Sequence, residues 1–336
     1  MFEKQITNTY TFKIVHSLES NFLKYILTFI ITCFATLMVI PSKFNYIVAS
    51  KLAIIYNDLD TYFGRSYNCN SNTIADRAKL INNKAGFTML VDACDNVVSR
   101  HNSLSKGWEP QVTKAITLFT KHGDNALVLG AHIGTHVLNF SKAVGETGHV
   151  YAVDPEPLMY NFTKINLMIN DIKNTQVYNY AAYDQDTLLQ FSSNTNGESN
   201  TGSSHIAWND NLENNEHRML VKAKKIDVIL NFVNKLDIIL MDIEGAEPRA
   251  VEGMSALLER SSNPIIIQEW EVDYIKKLQR DPRKYLESFA KKHYSFAKFQ
   301  DDKLIKVEID DLLQSKLTDI VMSTDIDNLI KNYNYN

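Results

Sequence analysis

Three acids fall within six residues in Asp242-Ile243-Glu244-Gly245-Ala246-Glu247, directly after an apolar run over 236–241. Carboxylates grouped at the end of a strand can take a proton from a hydroxyl or attract a cationic ligand. Glu247 alone is explained by the positive N-terminal dipole of a following helix, but that reason does not reach Asp242 and Glu244 together. A second group is Leu129-Gly130-Ala131-His132-Ile133-Gly134. Two glycines four apart let the backbone turn sharply and approach a ligand with no Cβ in the way. The third is Asp154, which lies 24 positions after Gly130 at the end of another apolar run. A carboxylate there can accept hydrogen bonds from both hydroxyls of a ribose. The loop lacks the extra glycine with which dinucleotide sites seat a pyrophosphate, so S-adenosylmethionine, which carries no phosphate, fits better than NAD. His132 and His136 would share a helix face, but position 133 is Ile where a zinc-protease motif needs Glu, and no metal is expected.

These residues need a scaffold that brings strand ends together. Short apolar runs over 126–131, 149–153, 175–180, 236–241 and 264–268 alternate with helical patterns over 133–144, 157–170 and 248–259. Near-continuous apolar strands separated by helices predict an α/β doubly wound, mostly parallel sheet covered on both faces. We place this body at 86–310, with a closing strand over 304–309 and a peripheral tail over 311–336. The Asn- and Ser-rich stretch over 191–219 reads as a substrate-side loop. Residues 64–85, rich in asparagine, read as a linker behind a helical extension over 1–63.

Within that extension, 22–40 is apolar with only Lys24 inside. As a helix it would reach roughly 28 Å, close to the ~30 Å hydrocarbon layer. It is expected to act as a membrane anchor or, alternatively, to pack as a helix on soluble protein. Across the chain, 35 Lys and Arg stand against 39 Asp and Glu, for a net charge of -4. That balance argues against nucleic acid as a partner, because phosphate neutralisation needs a basic face. Cys33, Cys69 and Cys94 are too few for a disulfide framework, which points to a reducing compartment.

Taken together, Gly107-Trp108-Glu109-Pro110, Gly130-Ala131-His132-Ile133-Gly134, Val153-Asp154-Pro155-Glu156-Pro157, Asp242-Ile243-Glu244-Gly245-Ala246-Glu247 and Ile266-Ile267-Gln268-Glu269 resemble the FkbM-type S-adenosylmethionine-dependent methyltransferases. The resemblance covers roughly 90–275. It implies a seven-strand Rossmann-like methyltransferase sheet and O-methylation of a sugar, a glycan or another small hydroxylated metabolite. By the same resemblance, Gly130, Ala131 and Gly134 lie at the methionine moiety, Asp154 on the ribose and Asp184 beside the adenine. Asp242 would sit near the methionine amine and the reacting methyl, with Glu244, Glu269 and Glu109 on the acceptor side.

A hydroxyl acceptor needs a base, and Asp242, Glu244 and His132 are the candidates. Val128 and His132 stand where the family commonly has an acid and Asn. An impaired, methyltransferase-like binding protein is therefore an alternative, and an NAD-dependent oxidoreductase is another. Because S-adenosylmethionine is made in the cytosol, the enzyme body is expected to face that side, or to be soluble in the cytoplasm.

Overall fold

The structure, a computed structural model, describes residues 67–71, 73–104, 106–195, 200–207 and 217–336. The apolar segment 22–40 and the rest of the expected extension lie outside the described residues. Among the described residues, no helix is long and apolar enough to cross a membrane.

The described chain enters through a short helix, Ile74–Arg77, and an antiparallel hairpin of β1 (Ala78–Asn82) and β2 (Thr88–Asp92). Then come β3 (Asn125–Leu129), β4 (His149–Val153) and β5 (Thr175–Tyr178). An excursion follows with β6 (Ala181–Ala182), β7 (Thr187–Ser193), β8 (His205–Ile206) and β9 (His217–Lys224), which form a separate four-stranded sheet. The chain returns through β10 (Ile238–Met241) and β11 (Ile265–Trp270). It finishes with β12 (Ser295–Gln300), β13 (Lys303–Val307) and β14 (Thr318–Ser323).

The main sheet has eight strands in the order β13-β12-β14-β11-β10-β3-β4-β5, and its five strands from β11 to β5 are mutually parallel. Alternate residues of β3 face opposite ways. Ala126 and Val128 enter one core, with the helices Thr135–Val144 and Pro157–Ile169, while Leu127 and Leu129 enter the other, with Glu247–Glu252 and Pro282–Ala290. Both faces are covered, so 126–129 is unbroken apolar sequence and the period-2 alternation of a half-exposed strand is missing. The doubly wound architecture holds. The count of seven does not, because β13 adds an antiparallel edge beyond β12.

Three boundaries change. The expected tail over 311–336 supplies β14, which lies between β11 and β12, and a final helix Ile326–Tyr335 whose Ile326, Leu329 and Tyr333 are buried. The run over 304–309, read as the closing strand, is instead the edge strand β13. The expected linker over 64–85 contains the helix at Ile74–Arg77 and β1. Its asparagines shape turns: the Asn83 side-chain oxygen accepts from the Phe87 backbone N–H across the hairpin end. The helical pattern over 248–259 divides into Glu247–Glu252 and Ser255–Arg260 at Gly253, where a Cβ would lie 1.9 Å from the Tyr183 carbonyl oxygen.

The reading of isolated, reduced thiols also fails, because Cys69 and Cys94, 25 residues apart, form a disulfide. The Arg77 guanidinium, beside the start of β1, brings the two segments together, donating to the Cys69 carbonyl and to Asp92 next to Cys94. A lasting disulfide is the chemistry of an oxidising compartment, which removes the basis for the reducing one.

Candidate active site

Strand order reverses between β3 and β10: the chain leaves β3 for β4 on one side and returns through β10 on the other. In open α/β sheets, ligands bind beyond the strand ends at such a switch point. The register Met241↔Leu129 aligns the two strand ends, and the Asp242 N–H donates to the Leu129 carbonyl at 2.9 Å. Met241 also pairs with Gln268 of β11, and Glu269 pairs with Asp319 of β14. Asp242, Glu269 and Asp319 thus form a row across three neighbouring strands.

A cavity of about 400 Å³ opens at this edge. Glu109, Gly130, Ala131, His132, Asp154, Asp242, Glu244 and Glu269 all line it. Glu156, Glu271, His136 and Asn200–Ser204 line it too, whereas among the described residues no Lys or Arg does. The excursion read as a substrate-side loop does contribute a wall, through Phe191, Asn200–Ser204 and Ile206.

Asp154 holds the turn after β3. Its two carboxylate oxygens accept from the backbone N–H groups of His132 at 2.7 Å and Glu156 at 2.9 Å. His132 sits in the left-handed region at φ 48, with Nε2 2.7 Å from the Thr201 hydroxyl. Its ring is therefore turned to the β7–β8 connection, and burial pushes its pKa down. His136, set aside above as a helix-face histidine, places Nε2 2.8 Å from Glu109 Oε2. Glu109 caps the helix Pro110–Phe119 from the left-handed region, at φ 40.

Two residues expected at the cofactor do not line the cavity. Gly134 starts the helix Thr135–Val144 at φ +89, and the place of its missing Cβ faces Thr163 at 3.1 Å, so it is a packing glycine. Asp184 is held instead by Arg249 at 2.7 Å and Arg280 at 2.8 Å, in a network that ties the helix Glu247–Glu252 to the chain after Val272–Lys277. We expect Asp184→Ala to leave affinity for an adenosyl ligand within twofold of wild type while costing about 1–3 kcal/mol of stability through the stranded guanidinium groups. Calorimetric titration and urea unfolding on the same variant check both halves.

Sequence reading missed Asp319, because β14 was assigned to the tail. The signal was present in Thr318-Asp319-Ile320-Val321-Met322, a β-rich run opening on an acid. Of the two departures that prompted the impaired-protein alternative, Val128 is fully buried between Ala152 and Leu240 and does not line the cavity, whereas His132 does.

The electrostatics are one-sided. Burial pushes the pKa of Glu109, Asp154, Glu247 and Asp319 up to about 7 each. Burial, reinforced by Glu109, takes Asp242 to about 8. Glu244 and Glu269 are raised well above the usual carboxylate range by burial and then by Asp242. In the unfolded chain these groups release their protons near pH ~4, so between there and about 8 the folded state binds more protons. Stability should therefore be greatest at the acidic end of that window and decline as pH rises through it. Urea midpoints of the ligand-free protein at mildly acidic and mildly alkaline pH test this, and a higher midpoint at the alkaline end would contradict it.

With this geometry in place, comparison with known proteins is decisive on one point. Residues 129–333, more than half of the chain, match the family described as methyltransferase FkbM domain. The chain belongs to the FkbM methyltransferase family. No curated protein matches its sequence. Among solved structures it is similar to a SAM-dependent O-methyltransferase from Thermotoga maritima, at 11% identity over 79% of this chain and 80% of that one, with a TM-score of 0.37. A SAM-dependent methyltransferase from Aquifex aeolicus gives 15% identity over 64% and 87%, with a TM-score of 0.33. Fibrillarin from Aeropyrum pernix, with natively bound S-adenosyl-L-methionine, gives 13% over 64% and 74%, at 0.36. Likenesses this remote carry no argument about substrate. The FkbM match spans β3 to the last helix, and so includes β14 and the whole row of strand-end acids.

Proposed function

We propose that the cavity binds S-adenosylmethionine and that the protein transfers its methyl group to a hydroxyl of a sugar, a glycan or another small hydroxylated metabolite. The observation that carries this is a switch-point cavity walled by carboxyl groups from Asp154 to Glu269, with no Lys or Arg among the described residues that line it. Such a wall suits a ligand that is cationic at its sulfur and its amine. It repels a pyrophosphate, which counts against NAD.

Asp154 is placed to accept from ribose hydroxyls, since each of its oxygens keeps a lone pair beyond the backbone bond it already accepts. Asp242 and Glu109 stand where they can hold the amine and attract the sulfonium. When bound, S-adenosylmethionine supplies an activated methyl. The chain's work is to align an acceptor oxygen with it at roughly 3 Å and to remove the proton. The C–S bond breaks as the C–O bond forms, and the hydroxyl proton passes to Asp242 or Glu244. A carboxyl group whose pKa burial raises, as at Asp242 and Glu244, is a stronger base for that task than an ordinary carboxylate.

Calorimetric titration of the full-length protein with S-adenosylmethionine, S-adenosylhomocysteine and NAD tests the reading, followed by methyl transfer to a panel of sugars and hydroxylated metabolites. Adenosyl binding with turnover is expected, and failure of both adenosyl compounds to bind would defeat it. Asp154→Ala should weaken S-adenosylmethionine by about 1–3 kcal/mol through lost charged hydrogen bonds. An unchanged affinity would remove Asp154 from the ribose.

A further inference from the structure

Glu244 differs from the buried acids around it. Glu247 accepts from the Ile243 N–H, and Asp154 from two backbone N–H groups. Glu244 is 8% exposed, stands on the cavity wall and has no hydrogen bond or ion pair with any described residue. A carboxyl group desolvated without a partner is costly, and such groups persist where a ligand completes them. Its carboxylate points at Asp242 and Glu269: one oxygen from each of the three lies within 4.8 Å of the other two. In the same pocket, His136 is 9% exposed and its Nδ1 is buried without a partner.

We propose that Asp242, Glu244 and Glu269 bind a hard divalent cation, of the magnesium, manganese or calcium class, at the acceptor end of the cavity. Carboxylate oxygens without sulfur or imidazole donors select that class. Metal–oxygen distances of about 2.1 to 2.5 Å put coordinating oxygens roughly 3 to 5 Å apart, so the observed span admits an ion with little rearrangement. Asp242 and Glu269 come from the ends of adjacent, paired strands, a rigid base for a site, while Glu244 comes from the loop just beyond β10. Three carboxylates leave coordination positions open for water or for the acceptor's oxygens, and an acceptor hydroxyl bound there is acidified. This deepens the methyl-transfer reading by assigning the acceptor a hydroxyl, or two neighbouring hydroxyls, able to chelate.

The test uses the full-length protein stripped with EDTA and titrated with manganese chloride, followed by electron paramagnetic resonance and by calorimetry, with no S-adenosylmethionine present. One manganese per chain is expected, displaced by excess magnesium or calcium and retained at saturating S-adenosylhomocysteine. Manganese should also raise the melting temperature of the wild-type protein. Glu244→Gln and Glu269→Gln, which keep the shape of the side chain, should each weaken manganese at least tenfold while melting no earlier than wild type without metal. No binding at millimolar manganese, binding undisturbed in both variants, or displacement by S-adenosylhomocysteine would overturn the proposal. If S-adenosylmethionine binds and is turned over in EDTA while manganese does not bind, the cation site fails and the methyltransferase reading stands.

Discussion

Gly130→Ala is expected to lose on the order of 4 kcal/mol of stability and to disable the cavity, because two penalties fall on one atom. Gly130 has φ +86, a conformation that L-residues rarely adopt, and a Cβ built there would lie 1.8 Å from the backbone oxygen of Asp242. A side chain in that place could swing away, but a carbonyl at a strand end cannot. The Asp242 N–H is bonded to Leu129, and the Gly130 N–H to the Val153 carbonyl. Relief therefore requires β3 and β10 to part where Asp242 is aimed, so stability and ligand binding should fall together. Urea unfolding and S-adenosylmethionine calorimetry on the variant read the two effects. A variant within about 1 kcal/mol of wild type would show that the two strand ends are not as tightly joined as the geometry requires. The position also revises the reason for the glycine: the space a Cβ would fill is taken by the neighbouring strand rather than by a ligand.

That revision shows what a single sequence carries. The central parallel strands were legible because β3, β4 and β10 are buried on both faces over nearly their whole length and so read as apolar runs. The strand-end acids were legible because Asp154 and Asp242 directly follow such runs. Partners that depend on register were not. Asp319 joins Asp242 only because β14 inserts between β11 and β12, and the acidic helix Ile309–Leu313 after β13 disguised that strand as part of a tail. Asp184 follows the two-residue strand β6 and seemed placed for adenine, until the fold put Arg249 and Arg280 beside it from far along the chain. His136 was discounted because position 133 is Ile where a zinc-protease motif needs Glu, although its partner, Glu109, comes from a different helix cap. The disulfide was hidden for the same reason, since nothing local to Cys69 points to Cys94.

Arg77→Met should cost about 3–5 kcal/mol, the penalty of leaving a buried charge without its counterion. Arg77 has no solvent exposure, and its guanidinium donates to Asp92, also fully buried, at 2.6 Å from Nη2 and at 3.0 and 3.1 Å from Nε. Burial raises the Asp92 pKa even with Arg77 beside it, so desolvation already outweighs the pair's attraction. Removing Arg77 alone leaves Asp92 to protonate or to bring in water. Removing both charges in Arg77→Met with Asp92→Leu should restore part of the loss, and a coupling of at least ~1 kcal/mol in the double-mutant cycle is expected. Recovery cannot be complete, because the same guanidinium also donates to the carbonyls of Cys69 and Thr195. Thr195 follows β7, and Thr201 further along reaches both Asp95 and His132 at the cavity wall. Both variants should consequently bind S-adenosylmethionine more weakly than their stabilities alone predict. Wild-type affinity in the folded single variant would break the link between this buried pair and the site, and strict additivity in the cycle would show that the cost lies in the lost carbonyl bonds rather than in the stranded charge.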